Sequence, residues 1–289
     1  MARPGATGVG QTAGREFQLD AEELEDRIAA FPLWNYQFEF ENGVRTPIAD
    51  WHRVNRQAQR RRHFFEPLLS LNGGDLAGKR VLDLGCSSGF WALAALEAGA
   101  EFVLGVEASE TAVEQAGLVF EAKGIEPARY RFDVANIFEY ELGERFDIVL
   151  CLGLLNVVSK PVALFELMDG AQPELIVIDT GLSRAPTKLF EVSRLLESRN
   201  RVDYDMVLVP TRRAVIELAG QFGLRAVPLA QNITDYTSME DYRSQQRLAF
   251  ICSKERALGS LAAEPEPPSN PWLAALDRRA RSLRARLRG

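Results

Sequence analysis

From Arg80 onward, short apolar runs alternate with stretches of helical periodicity, and this alternation restricts the fold more than any other feature. The runs that predict strands lie near residues 80–84, 102–107, 128–132, 146–151, 174–179, 224–230 and 246–253. Most of them are separated by predicted helices, near residues 89–98, 110–123, 160–168, 187–199 and 212–222. Strands separated by helices pair in parallel and are covered on both faces. We therefore expect an α/β fold with a mostly parallel seven-stranded sheet and helices on both faces.

The flanking segments differ in composition from this alternating core. Asp20 and Glu23 have the spacing of a capping box and predict a helix start, so the segment before the core is expected to form a helical cap. A Pro-rich stretch after the core predicts a linker. The expected organisation is a disordered tail (1–15), a cap segment (16–79), the α/β domain (80–256), the linker (257–271) and a basic amphipathic helix (272–289).

Charge and composition narrow the classes of partner. The last 18 residues contribute +5 to a formal net charge of −6, so the rest of the chain carries −11. An acidic body disfavours a nucleic acid as the main partner, because phosphate contacts need Lys and Arg. No run of about 18 apolar residues predicts a membrane span. Three cysteines are an odd count, which favours reduced thiols in a cytoplasmic protein over a disulfide framework.

The stretch "RVLDLGCSSGF" at residues 80–90 predicts a ligand site at the end of the first strand. Open α/β sheets bind ligands at the carboxyl ends of their strands. The G-x-G-x-x-G spacing that cradles a pyrophosphate is absent, because Gly85 is next followed by a glycine at Gly89. Glu107 ends the second strand and can accept from two ribose hydroxyls, while Asp133 ends the third and can accept from an adenine amine. With Asp83 for an amino-acid portion, these residues predict S-adenosylmethionine, which has no phosphate.

This arrangement resembles the class I S-adenosylmethionine-dependent methyltransferases over most of residues 80–253. The resemblance implies a Rossmann-like fold and methyl transfer, with S-adenosylhomocysteine as the product. It also implies that the first-strand turn holds the methionine end, Glu107 the ribose and Asp133 the adenine. Ser87 stands where the family usually has its middle glycine. The residues expected to contact the cofactor are Asp83, Gly85, Cys86, Gly89, Glu107, Ala108, Asp133, Val134, Cys151 and Gly153.

A closer resemblance, carried by "WNYQFEFENGVRTP", "RFDIVLCLGLLNVVSKP" and "VLVPTRRAVIELAGQFGL", is to one branch of these methyltransferases. That branch includes the tRNA wobble-uridine 5-oxyacetate methyltransferase-like proteins, and similar sequences often modify small molecules. Where the branch commonly has Tyr-His-Leu after the fourth strand, this chain has Asn156, Val157 and Val158. The missing histidine argues against the substrate of the branch.

The sequence constrains the residues that would bind the methyl acceptor less than those that would bind the cofactor. An oxygen acceptor needs a group that takes its proton. Asp179 ends the fifth strand and is a candidate base or substrate anchor, Asn156 is a candidate for orienting the substrate, and His52 in "ADWHR" is a candidate base. Each also has a purely structural interpretation. No Cys or His spacing indicates a metal site.

The sequence has two groups of arginines whose binding partners it does not determine. The run Arg53, Arg56, Arg60, Arg61 and Arg62 on one predicted helix is either a solvated face or a surface for an anionic substrate. The basic C-terminal helix either docks on the body or a partner subunit, as in a homodimer, or contacts an anionic surface. We expect a small-molecule acceptor, with an oxygen of a sugar or specialised metabolite ahead of sulfur or an amine. A tRNA-modifying enzyme and a non-catalytic cofactor-binding subunit are the alternatives.

Overall fold

The computed structural model describes residues 19–48, 50–194, 206–258 and 261. The expected tail, most of the linker and the C-terminal basic helix lie outside these described residues. The helices are α1 (Ala21–Ala29), α2 (His52–Arg60), α3 (Glu66–Leu71), α4 (Phe90–Glu97), α5 (Glu110–Ala122), α6 (Pro161–Gly170), α7 (Arg212–Gln221) and α8 (Glu240–Arg243). The strands are β1 (Arg80–Leu84), β2 (Phe102–Glu107), β3 (Tyr130–Val134), β4 (Ile148–Leu152), β5 (Leu175–Gly181), β6 (Phe190–Arg194), β7 (Met206–Pro210), β8 (Arg225–Pro228) and β9 (Arg247–Ser253).

Seven of these strands form one sheet in the order β3-β2-β1-β4-β5-β9-β8. Strands β1 to β5 pair in parallel, and β9 runs antiparallel between β5 and β8. The order reverses at β1, which is the switch point where open α/β sheets bind their ligands. The expected mostly parallel, Rossmann-like α/β fold is confirmed.

The sheet is buried on both faces, because successive side chains of each central strand enter different cores. Val81 and Val103 pack with helices α4 and α5 and the N-terminal segment, whereas Leu82 and Leu104 pack with helices α6 and α7. Gly105 in β2 admits no side chain, since a Cβ there would lie 2.5 Å from the Phe132 ring. The apolar runs of the sequence are long because both sides of each strand leave water.

The segment before the sheet folds as a cap on the first of these cores. Asp20 caps α1 by accepting from the backbone N–H of Glu23, as the capping-box spacing predicted. The stretch from α2 to α3 is one helical run interrupted by a π-helix at Arg61–Phe65. Tyr36 stacks on Phe90 at the start of α4, with ring centroids 4.9 Å apart. The cap therefore reaches the turn that follows β1.

One predicted element is wrong. The sequence predicted a helix near residues 187–199, but Phe190–Arg194 form strand β6, which pairs antiparallel with β7 in a separate two-stranded sheet. The leucines and charged residues of this stretch have helical spacing, yet "FEVSR" also alternates at the period of a strand. Backbone pairing with β7 decides between the two for residues 190–194, and residues 195–199 lie outside the described part of the chain.

Candidate functional site

The turn between β1 and α4 has an unusual backbone conformation. Gly85, Ser87 and Gly89 have φ angles of +69°, +50° and +78°, in the region that favours glycine. Glu107, at the end of β2, supports the non-glycine member, because its Oε2 accepts from the Ser87 N–H at 2.9 Å. Its Oε1 accepts from the Ser109 N–H at 3.0 Å. Glu107 is thereby fixed at the carboxyl edge, next to the turn.

Three buried polar atoms of this strand, turn and helix have no hydrogen-bond partner among the described residues: Asp83 Oδ2, Ser88 Oγ and Trp91 Nε1. Burial raises the pKa of Asp83 to about 7, and the charge of Glu107 adds to the shift. Buried polar atoms without partners cost free energy, and natural proteins contain few of them. Their concentration here indicates that a polar ligand completes the site.

Asp133 and Val134 lie at the end of β3, beside Glu107 on β2. The register aligns Glu107 with Val134, so the two strand ends meet at the same edge. Strand β3 begins and ends two residues later than predicted, and Asp133 is its penultimate residue. The Asp133 carboxylate accepts from the Tyr140 hydroxyl at 2.5 Å and from Arg131 Nε at 3.1 Å. Ala108 is exposed next to Glu107.

The two cysteines expected near the cofactor have buried thiols. The Cys86 Sγ lies against Gly105 and bonds the Ser87 carbonyl, and burial raises its pKa well above the usual value. Cys151 is within the core under α6, and burial raises its pKa to about 12. A contact of Cys151 with a ligand at the sheet edge would therefore use its backbone, not its thiol. Gly153, with a φ of +91°, lies just beyond β4 and is half-buried.

Asp179 lies in a buried ionic cluster. Its side chain is 0% exposed. Its carboxylate accepts from Arg60 Nη2 at 2.8 Å, Arg247 Nη1 at 3.2 Å and the Tyr242 hydroxyl at 2.8 Å. Burial alone would raise the pKa of Asp179, but the guanidinium groups of Arg247 and Arg60 and the Tyr242 hydroxyl hold it below its usual value. A carboxylate with its oxygens occupied and a lowered pKa is poorly suited to take a proton.

Asn156 follows β4 and lies against β5. Its Oδ1 accepts from the Gly181 N–H at 3.0 Å and from the Thr180 hydroxyl at 3.3 Å. A Cβ at Gly181 would lie 3.2 Å from the Asn156 Cγ, so a larger residue there would crowd the Asn156 side chain. Because Oδ1 is occupied, Nδ2 remains as the donor that Asn156 can offer to a ligand.

His52 begins α2, at the outer end of the cap. Its ring lies 3.7 Å from the Trp51 ring, centroid to centroid, and its Nδ1 is buried without a partner among the described residues. The next residue connects this end of α2 to the glycine turn, since Arg53 donates to Asn35 and Asn35 donates to the Ser87 hydroxyl at 3.4 Å. The start of α2 therefore lies on the side of the cap that faces the site.

Comparison with known proteins adds to this geometry. Residues 75–202 match the family described as a methyltransferase domain. A stretch of 114 residues is 35% identical to the ubiquinone biosynthesis O-methyltransferase of Neisseria meningitidis serogroup C, covering 39% of this chain and 48% of that protein. A longer stretch of 191 residues is 29% identical to the protein of that name from Bordetella parapertussis, covering 58% and 78%. The chain contains a class I S-adenosylmethionine-dependent methyltransferase domain.

The solved structures agree on the fold. The N-terminal domain of EvdMO1, crystallised with S-adenosylhomocysteine and D-fucose, superimposes with a TM-score of 0.65 at 20% identity, over 84% of this chain and 100% of that one. At this identity the match shows the shared fold. S-adenosylmethionine is the cofactor of the domain, as the sequence predicted, whereas the likeness to the wobble-uridine branch is a minor one. The matched stretch spans about half the length of the Neisseria relative, namely 48%.

Sequence reasoning missed several residues of the methyltransferase domain's polar edge: Asp241, Tyr242 and Arg247. The interpretation of Arg60 as part of a solvated face is wrong, because its side chain is 9% exposed and pairs with Asp179. Its guanidinium also lies 5.3 Å from the ring centroids of both Phe64 and Trp91. The i, i+4 spacing of Arg56 and Arg60 was the available signal, since it places both on one helix face. Tyr242 and Arg247 belong to no motif.

The other arginines of the run also have partners within the chain. Arg56 pairs with Asp241 at 2.6 Å, Arg61 lies 3.7 Å from Glu97, and Arg62 donates to the Thr234 hydroxyl. These three contacts fasten the cap to the domain, whereas the Arg53–Asn35 contact lies within the cap. The arginines of this run therefore mostly contact other residues of the chain.

Among the described residues, no helix has the length and apolar character that a bilayer span requires. The described part of the chain also holds no group of three or more His, Cys, Asp or Glu side chains placed to bind a metal ion.

Proposed function

We propose that this chain transfers a methyl group from S-adenosylmethionine to an oxygen of a small molecule, in the cytoplasm. The cofactor supplies an electrophilic methyl group, so the residues of the chain bind, orient and desolvate the two reactants. The observation that carries the proposal is the set of unpartnered buried atoms of Asp83, Ser88 and Trp91 at the switch point of a methyltransferase domain. The buried, unpaired thiols of all three cysteines support a reducing compartment.

The cofactor chemistry matches the polar groups at this edge. The ammonium group of the methionine portion would pair with Asp83, and its carboxylate would accept from the buried, unpartnered Nε of Arg60. Glu107 keeps free lone pairs for the ribose hydroxyls, since each oxygen has one bond to a turn amide. Asp133 would accept from the adenine amine. Gly85 and Gly89 supply the positive φ angles that shape the turn facing the ligand.

A cleft beyond β5 and β9 supports a small acceptor. It has a volume of about 270 Å³ and is lined by residues 182–187, 211–213 and 244–245. Asn156 lies near this cleft, because it bonds Gly181, the residue before the first lining residue. The Neisseria and Bordetella relatives carry names of O-methyltransferases of ubiquinone biosynthesis, which favours an oxygen acceptor.

A tRNA acceptor is less well supported. It would use the arginine run as a row of phosphate contacts, but Arg56 and Arg60 bond Asp241 and Asp179, and Arg61 lies near Glu97. The basic C-terminal segment, which could contribute further contacts, lies outside the described residues.

The deciding experiment uses methyl-labelled S-adenosylmethionine with two acceptor pools, bulk tRNA and a small-molecule extract of the source cells. We expect label in the small-molecule pool, and mass spectrometry of the labelled product identifies the acceptor. Label in tRNA alone would contradict the proposal. Cofactor binding without label in either pool would favour a non-catalytic partner subunit.

The pKa of Asp83 gives a pH dependence of cofactor binding. Ligand-free Asp83, with a pKa of about 7, is partly protonated at neutral pH. Pairing with an ammonium group requires the carboxylate, so binding releases a proton below this pKa and affinity falls as the pH falls. We expect the dissociation constant of S-adenosylhomocysteine to rise about tenfold between about pH 7.5 and pH 6. Calorimetric titration measures it.

Asp83→Asn is the control for this dependence. It should bind more weakly and lose most of the variation between these pH values. A variant with the same pH profile as the natural chain would assign the proton to another group.

A further inference from the structure

The buried ionic cluster extends to the carboxyl end of β4, next to the glycine turn. A Cβ at Gly153 would have Arg247 Nη1 as its nearest neighbour, at 4.0 Å. Gly153 follows β4, and the register that aligns Cys151 with Leu84 brings it alongside the turn that begins at Gly85. The Leu154 side chain confirms this proximity, because it would lie 3.4 Å from a Cβ at Gly85. Arg247 thus borders the glycine turn from the acceptor side.

The guanidinium of Arg247 is held rigidly and keeps one donor nitrogen. Its Nε donates to Asp241 Oδ2 at 3.0 Å and its Nη1 to Asp179 Oδ2 at 3.2 Å. Its Nη2 has no hydrogen-bond partner among the described residues. This atom is also absent from the buried atoms that lack a partner, so it is accessible to a ligand. A fixed fork with one available nitrogen is preorganised to bind an oxygen atom.

In the ligand-free chain the charges of this cluster leave a positive excess, which the methionine carboxylate proposed at Arg60 Nε would offset when the cofactor binds. Arg56, Arg60 and Arg247 face two carboxylates, Asp179 and Asp241, through ion pairs of 2.6–3.2 Å. The remaining members carry no charge that would compensate. Burial raises the pKa of Tyr242, so its hydroxyl stays neutral, and burial lowers the pKa of His63, which packs edge-on against the Tyr242 ring.

The groups around Arg247 are poor proton acceptors. Asp179 and Asp241 both have lowered pKa values because arginines neutralise their charge. The buried His63 has its Nδ1 facing the N–H of Asn232 at 3.5 Å. None of these side chains is therefore suited to take the proton of a hydroxyl bound here. The positive charge of Arg247 would instead stabilise the ionised form of that hydroxyl.

We propose that Arg247 binds an acidic, conjugated hydroxyl of the acceptor, such as a phenol or an enol, through Nη2 and holds it as the oxyanion. This inference rests on the proposed function and narrows its acceptor. The hydroxyl proton passes to solvent, and a lone pair of the oxygen forms the new bond to the methyl carbon. The bond from that carbon to sulfur breaks with its electron pair on sulfur. The hydroxyls of a simple sugar are too weakly acidic to be held in this way.

The test uses 4-nitrophenol, whose ionised form absorbs visible light. The chain is saturated with S-adenosylhomocysteine, and 4-nitrophenol is titrated at the pH where it is half ionised in solution. We expect the bound molecule to be about nine-tenths ionised, which corresponds to a pKa lowered by about one unit. In Arg247→Gln we expect that shift to be lost, while the exposed Arg243→Gln, four residues away, keeps it.

Separate measurements distinguish the ways this could fail. Calorimetry with S-adenosylhomocysteine tests the cofactor site, and a chain that does not bind it contradicts the proposed function itself. A chain that binds S-adenosylhomocysteine but leaves 4-nitrophenol unbound, or no more ionised than in solution, contradicts only the role of Arg247. If Arg247→Gln fails to fold, Arg247→Lys replaces it: the charge remains but the fork is lost, and a full-sized shift in that variant would overturn the assignment.

Discussion

Asp179→Asn is expected to lower the free energy of unfolding by about 3–5 kcal/mol, the usual cost of removing one partner from a buried ion pair. Asparagine keeps the size of the side chain but removes the charge that neutralises Arg60 and Arg247, both of which are largely buried. Its amide also offers a single oxygen to three donors, including the Tyr242 hydroxyl. Denaturant unfolding of the variant measures the loss.

The matched control is Glu121→Gln, which weakens an exposed ion pair. Glu121 bonds Arg27 through both oxygens, but the two side chains are 43% and 39% exposed. Exposed pairs contribute about 1 kcal/mol or less. If Asp179→Asn were no more costly than this control, the cluster would not stabilise the edge of the sheet, and Arg247 would lose the rigidity that its proposed role requires.

Glu107→Ala is expected to weaken cofactor binding by about 1–3 kcal/mol, the range for a lost charge-assisted hydrogen bond. Two effects combine. The variant loses the carboxylate proposed to bind the ribose hydroxyls, and it loses the acceptor that holds the Ser87 N–H in a left-handed turn. Calorimetric titration with S-adenosylhomocysteine measures the change in affinity.

Glu114→Ala is the control for this experiment, because Glu114 is an exposed carboxylate on α5, one turn after the helix begins. It should bind as the natural chain does. Unchanged affinity in Glu107→Ala would contradict the ribose assignment, whereas a loss of affinity with an unchanged unfolding curve would support it.

The sequence predicted the fold around the first strands well because the information for it is local. Asp83 and Glu107 each end or nearly end an apolar strand, and parallel strands bring their carboxyl ends to one edge without further information. The helix expected near residues 187–199 failed for the opposite reason. Its short strand exists only through pairing with β7, which lies beyond the segment itself.

The sequence by itself determined the fold class, the identity of the cofactor and the carboxylates near the ends of β1 and β2, because hydrophobic periodicity and strand-end residues are read from neighbouring positions. Only the tertiary structure decided the buried ionic cluster beyond the cofactor edge. It brings Arg60 from the cap and Arg247 from the last strand of the sheet onto Asp179 of β5. These residues are far apart along the chain. In the sequence each arginine resembles an ordinary surface residue, because only the folded chain buries it against the Asp179 carboxylate.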